Sequence, residues 1–287
     1  MAKEKKVLLN KQNPLRAGMT IQEVYEARPR LWWMYTLILL IVVALLGWSG
    51  AAVSFKGLAS KGMEVAKGVG YGLIHPDASL LFNLTTEGVP YQLLQTIAIA
   101  ILGTLFGGIL AVPFSFLACD RIVPKGVALI FRALILLIRT IPSLVWALMW
   151  IRVTGPGAFC GVMTQSICSI GMISKMYITA IEDVDTRILE SLDAAGCTGF
   201  QKVRYGMLPQ IIPNFISTVI YRFDINMKDA TTLGIVGAGG IGAALIQCIN
   251  ASRWSMVGSY LFGLMILMLI VEVFSTKVRT SLSHGKH

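Results

Sequence analysis

The chain has 287 residues, 55% of them hydrophobic and only 14% charged, against about 25% charged in soluble domains. That balance excludes a soluble globular enzyme, a disordered chain and a disulfide scaffold. Lys and Arg outnumber Asp and Glu by 25 to 15, and since the apolar residues cluster in membrane-length runs, the excess reads as membrane topology rather than nucleic-acid binding.

Residues 1–30 form a polar leader with seven basic residues, and 31–50 a first apolar span with Trp32, Trp33, Tyr35 and Trp48 at its ends. The leader is too long and the run too extended for a cleaved signal, so a retained helix with a cytoplasmic N-terminus is expected. Residues 51–90 mix Lys56, Lys61, Glu64 and Lys67 with glycines and a His75-Pro76-Asp77 turn. They read as an extracytoplasmic stretch with a short interfacial helix, or as a docking surface. Further spans are expected at 91–118, at 127–151 with an interruption at Pro142, at 157–181, at 213–233 with charges inside it, and at 255–275. A polar helical loop (182–212) and a glycine-rich connection (234–250) lie between them, inside a core of 91–280, and a tail (281–287) ends the sequence. With the N-terminus inside, 15 of the 25 basic residues fall in cytoplasmic segments and five outside. The expected fold is an all-α polytopic membrane protein with about six transmembrane helices and both termini cytoplasmic. The five cysteines show no CxxC spacing and the three histidines are dispersed, so neither a disulfide framework nor a metal site is expected.

Gly237-Ala-Gly239-Gly240-Ile-Gly242 spells GxGxxG, but no strand is expected before it and the next acid is Glu272. A dinucleotide site needs the strand, and an acid about 20 residues on. Gly234, Gly237, Gly239, Gly240 and Gly242 are instead read as a packed, re-entrant turn near the outer face.

Arg222, Asp224, Lys228 and Asp229 fall within eight residues of the fifth span, with Asn226 among them. A charge at the bilayer centre costs about 2.5–3.5 kcal/mol on insertion scales, so these groups face protein, water or one another. Asp224 and Lys228 share one helix face and Arg222 and Asp229 another; a structural ion-pair network and a hydrophilic pathway both satisfy this. If the Asp224–Lys228 pair is structural, neutralising Asp224 alone strands Lys228. Arg132 and Arg139 share a face of the third span. Arg132 is near enough to its end to snorkel. Arg139 lies about 18 Å along the helix; it lines the pathway, where a guanidinium suits an oxyanion, or pairs with a helix carbonyl or acid.

In the polar loop, Glu190 is followed by Ser191 and Leu192, then by Asp193, Ala194 and Ala195, then by Gly196, and after eleven more residues by Leu208-Pro209. Gly196 is expected to end one helix and Pro209 to mark the limit of the next. This spacing resembles the ATPase-coupling signature of ABC-importer permeases: Glu-Ala-Ala, three residues, Gly, eleven residues, Leu-Pro. Ser191 and Leu192 stand where that signature has two alanines. The string Tyr221-Arg-Phe-Asp-Ile-Asn-Met-Lys228, running on to the glycines, resembles the permease subunit of phosphonate ABC importers. Arg139-Thr-Ile-Pro142 and Arg204-Tyr-Gly-Met-Leu-Pro209 fit the same family, over roughly residues 90–280.

The resemblance implies a type I ABC-importer permease fold in a bacterial cytoplasmic (inner) membrane. It implies a substrate among the phosphonates or related phosphorus oxyanions such as phosphite and hypophosphite. It also implies a pair of ATPase subunits docked on the loop, a second permease copy completing a homodimer, and an extracytoplasmic substrate-binding protein. The chain contains no GxxxxGK[ST], so ATP and Mg are expected on the partner ATPase, with no cofactor and no catalytic residue here. An ABC permease for another small solute, or a non-ABC channel, is the alternative. An intramembrane enzyme fails for want of a histidine in any span.

Overall fold

Two stretches are described in the computed structural model, residues 32–52 and 60–283. The leader 1–30 and the last four residues of the tail lie outside them. The first stretch is one helix, α1 (Trp32–Ala52), long and apolar enough to cross a membrane. The second is built from α2 (Ser60–Ile74), α3 (Ala78–Phe82), α4 (Val89–Leu117), α5 (Lys125–Thr140), α6 (Ser143–Thr154), α7 (Ala158–Glu182), α8 (Thr186–Ala194), α9 (Leu208–Ile235), α10 (Ile241–Asn250) and α11 (Trp254–Ser283). No strand occurs among the described residues.

The bundle is laid down around α4 and α7. Gly103 and Gly107, four apart on α4, face Gln165, Ser166 and Ser169 of α7, and a Cβ at Gly107 would lie 2.8 Å from the Ser166 carbonyl oxygen. Small residues at this spacing let two backbones approach closely, which matters where lipid supplies no hydrophobic drive between helices. The face α7 turns inward carries polar residues among apolar ones: Thr164, Gln165, Ser166, Ser169 and Ser174 are all buried. At one end α3 and α11 close the bundle. Asp77 caps α3 by accepting from the Ser79 hydroxyl at 2.7 Å and amide at 3.0 Å. Those bonds, the hydroxyl's foremost, hold its carboxyl below the usual value. Ser259 of α11 donates to the Asp77 carbonyl at 3.0 Å, and Leu80, Val89, Ile241, Val257 and Tyr260 form the apolar cluster behind this contact.

Besides α1, helices α4 and α11 are apolar and long enough to cross alone. The interruption expected at Pro142 in the 127–151 segment is present: the segment is a pair of helices, α5 and α6, bent by 87°. The break lies at Ile141, held extended (φ −86°, ψ 120°) ahead of Pro142, because the proline ring crowds the α region for the residue before it. α7 and α9, with 25 and 28 residues, rise about 1.5 Å per residue and exceed a core of about 30 Å. They are the polar members of the set. Two further boundaries differ from expectation. Pro209 lies in the first turn of α9, directly after the π-helical stretch 202–207, rather than closing an earlier helix. In the 234–250 connection only the short turn between α9 and α10 is non-helical.

Candidate functional site

Two constructions carry the residues singled out by the sequence. The first is the loop from α7 to α9. Asp185 caps α8 by accepting from the Arg187 amide at 2.9 Å. At the other end Gly196 has φ +75°, its amide donates to the Asp193 carbonyl at 2.9 Å, and the Cys197 amide donates to Leu192 at 3.0 Å. This is a Schellman stop, in which the residue after the cap takes a left-handed conformation that glycine adopts without strain. Lys202 then pairs with Asp193 across the turn. One helical turn (Gly199–Gln201) and a π-helical stretch (Lys202–Met207) lead into α9.

The inner side of the loop is apolar. Leu189 and Val203 pack against Cys119, Ile181, Val184, Met207 and Ile211, and Leu192 rests against Gly206. The outer side presents Glu190, Ala194, Ala195 and Gly196, all exposed, with Phe200 at 73% and Tyr205 at 65% exposure. Glu190 through Gly196 are thus brought together on α8 and its stop. Leu208 instead joins the apolar base, while Pro209 is exposed on the first turn of α9.

The second construction is the polar interior where α9 meets α4 and α7. Asn226 donates to Thr104 Oγ1 at 2.8 Å and to Ser169 Oγ at 2.9 Å. Gln165 donates to the Asn226 carbonyl at 2.8 Å. The Arg222 side chain, 7% exposed, donates to Ser169 Oγ at 3.1 Å and reaches Asp229 at 3.9 Å. Arg222 and Asp229 line a cavity of about 270 Å³, whose other cation is Arg139. The paired carbonyl or acid offered for Arg139 is not found among the described residues. Arg132, expected to snorkel, is held in place by protein groups: its Nε donates to the Ala118 carbonyl at 2.8 Å, and Nη2 meets Glu182 at 2.7 Å and Asp120 at 3.2 Å.

Lys228 lies elsewhere. It meets Asp224 at 3.3 Å, as its spacing predicts, and also Glu272 of α11 at 3.1 Å. The inference that losing Asp224 strands Lys228 is therefore corrected. Asp224→Asn is expected to leave membrane abundance within about twofold of wild type, since Lys228 keeps Glu272 as its partner and the substitution removes a largely buried charge. Asp224→Asn combined with Glu272→Gln is expected to lower it further. In-gel abundance of both variants is the measurement.

The glycine turn closes the opposite end of α9. Gly237, Gly239 and Gly240 have φ of +99°, +81° and +71°. The Gly157 amide donates to the Gly237 carbonyl at 2.8 Å, and the amides of Gly240 and Ile241 donate to Gln95 Oε1 at 3.0 Å and Thr96 Oγ1 at 2.9 Å. The amides of Gly237, Ala238, Gly240 and Ile241 are thus all directed at protein groups rather than at a phosphate. The sequence reading missed Gln165, Ser169, Thr104 and Glu272. Gln165 and Ser169, four apart on α7 beside Thr164, Ser166 and Ser174, were the available signal.

Residues 111–280 match the family model described as binding-protein-dependent transport system inner membrane component. The phosphite transport system permease protein PtxC of Stutzerimonas stutzeri is 31% identical over 188 residues, 65% of this chain and 68% of that protein. The phosphate-import permease protein PhnE of Mycolicibacterium smegmatis is 32% identical over 186 residues, 64% of this chain and 35% of that one. Among solved structures, an inward-facing MetNI methionine ABC transporter superposes with a TM-score of 0.60 at 19% identity, covering 68% of this chain and 95% of that one. With a signature-like loop, a polar α9 and a matching fold, the chain belongs to the family of binding-protein-dependent transport system inner membrane components.

Proposed function

We propose that the chain is the permease subunit of an ATP-driven importer for phosphonates or related phosphorus oxyanions. The observation that carries the substrate class is the cavity lined by both Arg139 and Arg222, two guanidinium groups against the single carboxylate of Asp229. Such groups donate bidentate hydrogen bonds to tetrahedral oxyanions. The names of the phosphite and phosphate relatives support the same class.

In this reading both termini are cytoplasmic, and the chain sits in a bacterial inner membrane with the glycine turn toward the outer face. The chain itself hydrolyses nothing. Two ATPase subunits, carrying ATP and Mg, press on the outer side of α8 and on Phe200 and Tyr205. A substrate-binding protein delivers the anion at the outer face, and a second copy of the chain completes the pathway. Closure of the ATPases is passed through α8 and its apolar base to α7 and α9.

Gly196 tests the coupling. A Cβ there meets nothing within 4 Å, and aspartate tolerates the left-handed region better than most residues. Gly196→Asp is therefore expected to insert normally, to cut uptake of labelled methylphosphonate by about tenfold or more, about 1.4 kcal/mol of coupling, and to leave ATP hydrolysis by the assembled complex running. Normal uptake by the inserted variant would remove the loop from coupling. Failure of the wild-type complex to take up any phosphorus oxyanion would remove the substrate class.

A further inference from the structure

The groove between α5 and α7 has an uneven charge. A cavity of about 230 Å³ is lined there by Arg132, Arg139, Lys175 and Glu182, with Ile135 and Ile178 as walls. Arg132 is already engaged by Ala118, Asp120 and Glu182, and Glu182 is the one carboxylate lining this cavity. Arg139 and Lys175 have no side-chain hydrogen bond or ion pair among the described residues. The stem of Arg139 lies in a notch left by Gly171, where a Cβ would sit 2.8 Å from its Cγ. Arg139 also lines the neighbouring cavity of Arg222 and Asp229. It therefore stands between two chambers, with Lys175 facing only one of them.

We propose that Arg139 and Lys175 form an anion subsite in the α5–α7 groove, separate from the Arg222 chamber, that takes a phosphorus-oxyanion group. A guanidinium can hold two oxygens of such a group in parallel while an ammonium holds the third as a point charge. Two unpaired cations match a dianion, and a wall of two isoleucines suits a short organic substituent. For a free oxyanion as occupant, the inference rests on the proposed transport reading. A phospholipid headgroup offers the same phosphorus–oxygen chemistry and needs no transport.

The test uses the full purified chain in phosphatidylcholine nanodiscs, titrated calorimetrically with methylphosphonate and with inorganic phosphate. In parallel, its thermal unfolding is followed in discs with and without phosphatidylglycerol. Saturable binding of the free oxyanion is expected, weakened about tenfold, the scale of one lost charged contact, by Lys175→Gln and kept by Lys175→Arg. Protection by phosphatidylglycerol that Lys175→Gln abolishes, without free-oxyanion binding, assigns the same subsite to a lipid headgroup. If Lys175→Gln changes neither response in a monodisperse chain, the subsite is overturned. Whole-transporter uptake separates the two claims. Wild-type methylphosphonate uptake, together with nanodisc responses insensitive to Lys175→Gln, overturns the subsite alone. A wild-type transporter that takes up no phosphorus oxyanion, beside Lys175-dependent lipid protection, overturns the transport reading alone.

Discussion

Gly242→Val is expected to remove nearly all folded chain from the membrane. A Cβ on Gly242 would be driven into the Thr231 carbonyl and would lie 3.1 Å from the Gly234 Cα. Both neighbours are backbone, so no side-chain rotation relieves the clash. Overpacking costs about 1–3 kcal/mol where side chains can give way, and here the α9–α10 contact itself must open. Abundance of monodisperse protein, read by size exclusion of a fluorescent fusion, should fall by at least about tenfold, which is 1.4 kcal/mol. Gly126→Ala, at a position with nothing within 4 Å, should accumulate like wild type. A well-folded Gly242→Val chain would mean that α10 does not fold back onto α9 as described.

Arg222→Met is the second substitution with a severe expected outcome. It leaves Asp229 in the chamber without its cation and Ser169 Oγ without the Arg222 donor. Breaking a buried ion pair costs about 3–5 kcal/mol; with Asp229 about one-third exposed, the lower end applies. Abundance should fall sharply. Adding Asp229→Asn should restore much of it, because the stranded charge is gone. Uptake should stay absent in the double variant if Arg222 handles the anion. Full uptake by the double variant would make the pair structural and leave Arg139 as the remaining α5–α9 candidate.

Helix ends could be read from the chain to within a few residues for two long runs bounded by polar or glycine-containing turns: 91–118 against Val89–Leu117, and 157–181 against Ala158–Glu182. Proline was a poorer guide. Pro113 and Pro213 sit inside continuous helices, whereas Pro142 marks an 87° bend, and nothing local to the three distinguishes them. The Gly196 stop could be read because its cause is local: one left-handed residue and two backbone bonds. The partners of Arg132 and Asn226, and Glu272 as the second partner of Lys228, could not, since they come from other elements, up to 122 residues away for Asn226 and Thr104. Helical spacing says which face a side chain shares and nothing about the helix opposite. Lys175 is a further case: it lies inside the expected 157–181 span, and Arg132, Ile135 and Arg139, which share its cavity, belong to α5.

The widened turn at Lys202–Met207, in which the Leu208 amide reaches back to the Val203 carbonyl, has a consequence for phase. Successive residues of an α-helix are about 100° apart, so immediate neighbours do not share a stripe. Yet Met207 and Leu208 both join the base cluster, with Val203 before them and Ile211 and Phe215 after them. Val203, Met207, Ile211 and Phe215 keep an interval of four, while Leu208 lies five beyond Val203, the spacing of the wide turn's own hydrogen bond. The wide turn thus brings a second, adjacent residue onto the apolar stripe. The stripe is two residues broad where the chain passes from the α8 platform into the bundle, and the backbone stays helical through the join.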